Sequence, residues 1–173
     1  SFDSVEKQAR VLNYVDPAWL SMFLMILVLG LQFYPCYPPE HYINIQNLFD
    51  GKTIHLWYSA HKTILILARY QCSQSIAVLQ AILLADLHGA EHERTSASLL
   101  RIAITNAQEM GLHRLGDKSR QPQPDEAPGT TILREMYKRI WWSLVWRDWG
   151  TSMKNGGVYT IHPGQFNTPY PGN

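Results

Sequence analysis

The sequence predicts an all-α protein of roughly six helices, packed as a bundle or array within what is expected to be a larger helical domain. Apolar residues recur at helical spacing in several segments, and no segment sustains the alternation expected of a strand. Hydrophobic residues make up 46% of the 173 residues and charged residues 17%, which is typical of a globular chain. We find no repeat with a period of 20–50 residues, so a solenoid is not indicated. Residues 1–173 are expected to form one domain, or a large part of one.

Phe2–Tyr14 is predicted to form a short amphipathic helix. Asp16 and Pro17 then provide an N-cap and a first helical residue, because proline is favoured at that position. Ala18–Tyr34 carries no charge, which predicts a fully buried core helix. Pro35–Lys52 contains Pro38-Pro39 and Asp50-Gly51 and is predicted to be a connecting loop.

Ile54–Tyr70 is predicted to be helical. Its apolar residues at helical spacing are Leu56, Ala60, Ile64 and Leu67. Ser73 or Ser75 is expected to cap the next helix, SIAVLQAILLADLH, which Gly89 ends. This helix is apolar on most faces, so we expect it to lie at the centre of the fold.

His92–Met110 gives the clearest helical pattern, and Gly111 supplies the left-handed residue that commonly closes a helix. Its apolar face consists of Leu100, Ala103, Ala107 and Met110. Its polar face consists of Arg94, Ser98, Arg101, Thr105 and Glu109. The two alanines should let a neighbouring helix approach closely. Leu115–Thr130 holds three prolines and is predicted to be a loop.

Thr131–Ser152 is predicted to be the last helix, and Gly156–Asn173 is a Gly- and Pro-rich tail without helical period. One apolar stripe of this helix consists of Leu133, Met136, Ile140 and Leu144. A second stripe beside it consists of Tyr137, Trp141 and Val145. Glu135 and Arg139 stand i,i+4 in the favourable order and should form an ion pair.

The charge of the chain argues against direct DNA binding. The formal net charge is +1, whereas proteins that grip phosphates usually carry a strong basic excess. The two cysteines, Cys36 and Cys72, are far apart and form neither a zinc cluster nor a disulfide framework. The chain begins without Met and shows no signal peptide, so we expect it to be a fragment.

His88-Gly89-Ala90-Glu91-His92 matches the H-x-x-E-H pattern of a class of zinc proteases. That chemistry needs both histidines on one helix face and a third protein ligand. Gly89 interrupts the helix that the motif requires, and no companion pattern surrounds the later carboxylates. We therefore favour a solvated interhelical turn and keep a zinc hydrolase as the alternative function.

A membrane-attached protein is a second alternative. Residues 18–34 are uncharged over 17 positions, whereas a spanning helix needs ~20 predominantly apolar residues. Pro17 and Pro35 bracket the stretch, and Ser21, Gly30 and Gln32 dilute it. These features favour a buried core helix.

The tryptophan-rich helix also carries a basic cluster that includes Arg134, Lys138 and Arg147. These cations do not share one face, so we favour packing over base stacking for its four tryptophans. Asp148 lies among them, and we expect it to bind a backbone amide or an arginine because a buried carboxylate needs a partner. His113-Arg114 is interpreted as a cationic helix end that interacts with the macrodipole.

Three segments carry a resemblance to a known family: Ser75–Leu84, the stretch AITNAQEMGLHR at 103–114, and KRIWWSLVWRD at 138–148. In this order and spacing they resemble the fungal-specific transcription factor domain, the middle homology region of fungal zinc-cluster regulators. The last two match that family's A-x-x-x-A-x-x-x-G-L-H-R and R-R-x-W-W-S-x-x-x-x-D patterns, with Lys138 replacing the first arginine. The resemblance is strongest over residues 75–171.

The resemblance implies a helical regulatory region that is not an enzyme and that lies in the nucleus. It implies that DNA binding, and the zinc it needs, reside in a module outside this chain, so no cofactor is expected here. A homodimer, a small-molecule effector and a co-regulator are its expected partners. The residues that match the family's patterns, and to which the resemblance assigns a structural role, are Gln80, Ala103, Ala107, Gly111, Leu112, His113, Arg114, Arg139, Trp141, Trp142 and Asp148.

Overall fold

The computed structural model describes residues 15–33, 51–89, 93–117, 128–153 and 156–172. These residues form five α-helices and two short 3₁₀ turns, with no strand among them, so the predicted fold class is confirmed. The predicted helix Phe2–Tyr14, the last residue of the predicted helix Ala18–Tyr34, residues 35–50 of the predicted connector and residues 118–127 of the predicted loop lie outside the described residues. The chain divides into two compact units, Ser1–Ala90 and Glu91–Asn173, and each is described by itself.

Helix α1, Pro17–Gln32, begins where the sequence predicts. Asp16 is its N-cap, and one carboxylate oxygen accepts the backbone N–H of Ala18 at 3.0 Å. The prediction that this helix is fully buried is wrong. Its buried residues lie on one face and are Ala18, Ser21, Met25 and Val28, whereas Trp19, Phe23 and Ile26 are exposed. Since nearly every position of α1 is apolar, its sequence does not distinguish the two faces.

Helix α2, Gly51–Leu67, begins inside the predicted connector and buries Tyr58, His61 and Leu65. The predicted apolar stripe does not coincide with this face, because Leu56 and Leu67 are each 67% exposed. An aromatic side chain and a hydrogen-bonded histidine supply the buried contacts instead.

Helix α3, Ile76–His88, has Ser75 as its N-cap and ends at Gly89 as predicted, and Gly89 has a left-handed φ of +72°. Five of its residues are buried, namely Val78, Leu79, Ala81, Ile82 and Ala85. However, α1 and not α3 is the helix of unit 1 that packs against both others. Met25, Val28, Tyr58 and Ala85 form the shared core of the three helices.

Unit 1 also contains polar contacts between its helices. His61 is buried, and its Nδ1 lies 2.9 Å from Ser21 Oγ and 3.1 Å from the Ser21 carbonyl. At the end of α3, His88 Nδ1 is hydrogen-bonded to Gln32 Oε1, and its ring lies 4.6 Å from that of Tyr58. These contacts explain why α1 carries Ser21 and Gln32 in an otherwise apolar sequence.

Helix α4, Glu93–Glu109, opens the described part of unit 2 and confirms the predicted faces. Leu100, Ala103 and Ala107 are buried, and every residue of the predicted polar face is exposed. Gly111 has a φ of +76° and turns the chain into a 3₁₀ turn, Leu112–Arg114, which we call the LHR turn.

Helix α5, Pro128–Ser152, begins three residues before the predicted start and packs against α4 and the LHR turn. It buries Ile140, Trp141, Leu144 and Val145, so the inner parts of both predicted stripes are confirmed. Leu133, at the outer end, is 39% exposed. Residues 156–172 follow as an extended arm whose regular structure is a 3₁₀ turn at Pro163–Gln165. Among the described helices, none has both the length and the apolar character that crossing a membrane requires.

Candidate functional site

The residues that match the family's patterns meet in unit 2, where the arm lies along α5 and the LHR turn. The arm is defined as residues 156–172. It carries four glycines and three prolines, and it has no amphipathic pattern of its own. Its position must therefore be fixed by individual contacts, which fall into four groups along its length.

The first contact is a carboxylate that holds the start of the arm. Asp148 on α5 is 5% exposed, and its Oδ2 accepts the backbone N–H groups of Thr160 at 2.8 Å and Ile161 at 2.7 Å. Trp149 Nε1 donates to the Ile161 carbonyl at 2.8 Å. Of the two alternatives predicted for Asp148, the backbone amide is confirmed. The carboxylate satisfies the buried amide of Ile161, which would otherwise have no partner, and the partly buried amide of Thr160.

The second contact is aromatic. Phe166 of the arm packs edge-on against Trp141 and Trp142, with ring centroids 5.6 Å and 5.5 Å apart. Tyr170 stacks on Trp142 at 4.1 Å, and Trp142 Nε1 donates to the Pro169 carbonyl at 3.0 Å. Edge-to-face and offset-stacked rings each add to the free energy of burial. Trp141, Trp142 and Trp149 therefore serve packing within the unit, as predicted, whereas Trp146 is 79% exposed.

The third contact joins the arm to the LHR turn. Thr168 is 3% exposed, and its hydroxyl donates to the Leu112 carbonyl at 2.5 Å and accepts the Leu115 N–H at 3.2 Å. Asn167 adds two bonds: its N–H donates to the His113 carbonyl at 3.0 Å, and its Oδ1 accepts the Gly116 N–H at 3.2 Å. This turn therefore obtains its missing hydrogen bonds from residues more than fifty positions away.

Gly116 is needed for this close approach. A Cβ atom at that position would lie 2.2 Å from the Asn167 carbonyl oxygen, which is backbone and cannot move alone. The absence of a side chain at Gly116 is thus what allows the arm to lie against the turn.

The fourth contact fixes the end of the arm. Glu135 Oε2 accepts the Gly172 N–H at 2.7 Å, and Arg139 Nη2 donates to the Gly172 carbonyl at 3.3 Å. Glu135 also forms an ion pair with Lys138 at 2.5 Å. The predicted ion pair between Glu135 and Arg139 is replaced by this arrangement. The Lys138 hydrogen bond and the Gly172 amide lower the pKa of Glu135 because both stabilise its charged form.

Of the eleven residues singled out from the sequence, ten lie in unit 2. Ala103, Ala107, Leu112 and Trp141 are buried core. Gly111 provides the left-handed turn, and His113 packs its ring 5.9 Å from that of Trp141. Arg139, Trp142 and Asp148 hold the arm, while Arg114 is exposed. Gln80 is the exception, since it lies on α3 in unit 1.

Sequence reasoning missed the residues of the arm that complete the site. Phe166, Asn167 and Thr168 make its central contacts. They stand in a Gly- and Pro-rich segment, where no periodicity marks a side chain as buried. The spacing of the tryptophans offered an indirect signal, because so many indoles on one helix need partners beyond a single neighbouring helix.

The zinc-protease pattern is interrupted at its second residue. Gly89 ends α3, so the chain leaves the helix directly after His88. Ala90, Glu91 and His92 lie outside the described residues. Burial, and then the nearby His55, lower the pKa of His88. Within the described ranges no group of three His, Cys, Asp or Glu side chains is arranged to hold a metal ion.

Comparison with known proteins gives one family and several relatives. The family model described as "Fungal specific transcription factor domain" matches residues 1–173. Transcription factor TAS2 of Pyricularia oryzae is 24% identical over 96% of this chain and 22% of its own length. Transcription factor macR of Penicillium terrestre is 29% identical over 82% of this chain and 16% of its own length.

A third relative is more similar over a shorter stretch. The probable transcription factor lepB of Aspergillus flavus is 36% identical over 41% of this chain and 13% of its own length. The chain therefore spans between 13% and 22% of the length of these curated relatives. No solved structure matches it.

Proposed function

Because this chain belongs to the fungal specific transcription factor domain family, we propose that it is the regulatory region of a longer transcription factor. The observation that carries the proposal is the family match over residues 1–173, together with relatives that are themselves named transcription factors. The near-neutral charge supports a regulatory rather than a DNA-gripping role for this part.

The longer protein is proposed to act in the nucleus and to bind DNA through a zinc-containing module outside this chain. This region is proposed to be non-catalytic. Its polar side chains support that view, because Asp148, Thr168 and Glu135 are occupied in holding the arm. The region is also proposed to form homodimers or to contact a co-regulator.

Regulation is proposed to act through the arm. Four separate groups of hydrogen bonds and ring contacts hold it, together with the buried side chain of Ile161. These contacts are proposed to break while α4 and α5 stay folded. A ligand or partner that binds the held arm better than the released arm shifts the population by its differential affinity. The activity of the longer protein would then follow the state of the arm.

The test is reporter transcription driven by the full-length protein carrying Trp142→Ala. This change removes the stack on Tyr170 and the hydrogen bond to Pro169. We expect constitutive or abolished output at normal protein level. Trp146→Ala is the matched control, because Trp146 lies on the same helix and is 79% exposed.

Output indistinguishable from wild type in Trp142→Ala would contradict the proposed role of the arm. A change of the same size in both variants would assign the effect to the helix surface instead.

A further inference from the structure

A surface cavity of about 260 Å³ lies between the LHR turn and the arm. This volume is just below the ~300–1,000 Å³ of most small-molecule sites, so only a small occupant fits. The residues that line it are Arg114, Asp117, Gly164, Gln165, Phe166 and Asn167.

Direct hydrogen bonds hold the two walls of the cavity together. Asn167 contributes three of them: its N–H donates to the His113 carbonyl, its Oδ1 accepts the Gly116 N–H, and its Nδ2 donates to Asp117 Oδ1 at 2.5 Å. Thr168 contributes two more, to Leu112 and Leu115. The cavity is therefore already formed before any ligand binds, which reduces the conformational entropy lost on binding.

The cavity presents opposite charges that do not neutralise each other. Asp117 Oδ1 accepts from Asn167, and its carboxylate forms no ion pair with Arg114. Within the described part of the chain, the Arg114 guanidinium has neither a hydrogen-bond nor an ion-pair partner. A cation and an anion thus line one small cavity, each with bonding capacity that no described residue uses.

This arrangement matches a zwitterion. A guanidinium binds a carboxylate through two parallel hydrogen bonds, and the second oxygen of Asp117 can accept from an ammonium group. A simple anion would be repelled by Asp117, and a simple cation by Arg114. The half-buried ring of Phe166 adds an apolar wall for an uncharged side chain.

We propose that this cavity binds a free α-amino acid with a small apolar side chain. The inference rests on the proposed function and names the effector class for the same site. Such a ligand would contact Arg114 and Asp117 on one side and the arm at Gly164–Asn167 on the other. Because it binds both, it would stabilise the arm in its held position.

The experiment titrates the purified full chain with L-valine and with two analogues that each lack one charge. Isovalerate lacks the ammonium group, and isobutylamine lacks the carboxylate. By calorimetry we expect L-valine to bind at least ~10-fold more tightly than either, since each charged hydrogen-bonded contact is worth more than ~1.4 kcal/mol.

Variants locate the site. Arg114→Ala and Asp117→Asn should each weaken L-valine binding at least ~10-fold. Arg101→Ala, an exposed arginine on α4 of the same unit, should leave it unchanged. Circular dichroism checks folding, and Arg114→Gln, which keeps a long polar side chain, replaces Arg114→Ala if that variant unfolds.

Equal affinity for isovalerate and L-valine would overturn the proposal in favour of an anion site. Absence of binding at ~10 mM L-valine would overturn it entirely. Binding is measured without transcription, so its failure leaves the Trp142→Ala reporter result standing. Reporter output that Trp142→Ala leaves unchanged, beside tight L-valine binding, would instead contradict the proposed function alone.

Discussion

Asp148 illustrates how one side chain can replace an element of regular structure. The start of the arm has no strand or helix to satisfy its backbone, and one buried carboxylate oxygen accepts two consecutive amides. Bonds to a charged acceptor are stronger than neutral ones and contribute more to stability.

Asp148→Ala should therefore lower the free energy of unfolding by about 3 kcal/mol, because the buried amide of Ile161 and the partly buried amide of Thr160 lose a charged acceptor. Asp148→Asn should cost about half as much, since its one oxygen can still accept both N–H groups but carries no charge. Urea unfolding followed by circular dichroism measures both. Ser143→Ala, an exposed position on the same helix, is the control and should change stability by less than ~0.5 kcal/mol. A midpoint for Asp148→Ala equal to that of Ser143→Ala would show that the amides do not depend on this carboxylate.

At the scale of elements, α5 carries its tryptophans in graded environments. Trp141 is fully buried, Trp142 and Trp149 lie against the arm, and Trp146 is 79% exposed. The four tryptophans of this one helix therefore have three different roles. One lies in the core of the unit, two contact the arm, and one lies on the exposed surface.

Trp141→Ala is expected to cost about 3–5 kcal/mol, because it leaves a large cavity in the core. Trp146→Ala should stay within ~0.5 kcal/mol of wild type. Thermal unfolding of the two variants side by side gives the comparison. Similar losses in both would mean that Trp146 is covered in solution.

The sequence predicts that these helices exist, but it predicts only some of the faces that they bury. In α4, polar and apolar residues separate cleanly, and the predicted faces are confirmed. In α1 almost all positions are apolar, so the choice of Met25 over Trp19 for the core depends on neighbours far along the chain. The contacts of the arm are of that non-local kind throughout, and local patterns could indicate only Asp148.

At the scale of the whole molecule, the two units should respond to acid in different pH ranges. His88 in unit 1 and Glu135 in unit 2 both have lowered pKa values in the folded chain. Each side chain therefore binds a proton more weakly in the folded chain than in the unfolded chain. The stability each contributes is present above its ordinary pKa and is lost as the pH falls towards its folded pKa.

The loss of stability due to His88 should begin below pH 6.5, the ordinary pKa of histidine. The loss due to Glu135 should begin below pH 4.5, the ordinary pKa of glutamate. We expect His88→Gln to flatten the dependence of stability on pH only in the range below pH 6.5. Glu135→Gln should flatten it only in the range below pH 4.5. Unfolding temperatures measured from pH 7 downward, as the difference between wild type and variant, show this. A change in the same pH range for both variants would contradict the assignment of each range to its own residue.

The bond between Thr168 and the LHR turn also has a consequence for the order of synthesis. Leu112 leaves the ribosome well before its partner Thr168, 56 positions later, and translation adds only about 5–20 residues per second. Helices α4 and α5 can form during that interval, but the turn between them stays exposed for several seconds. A nascent chain interrupted just short of Phe166 would thus present a helical unit with an uncovered aromatic face, a species that chaperones and proteases recognise.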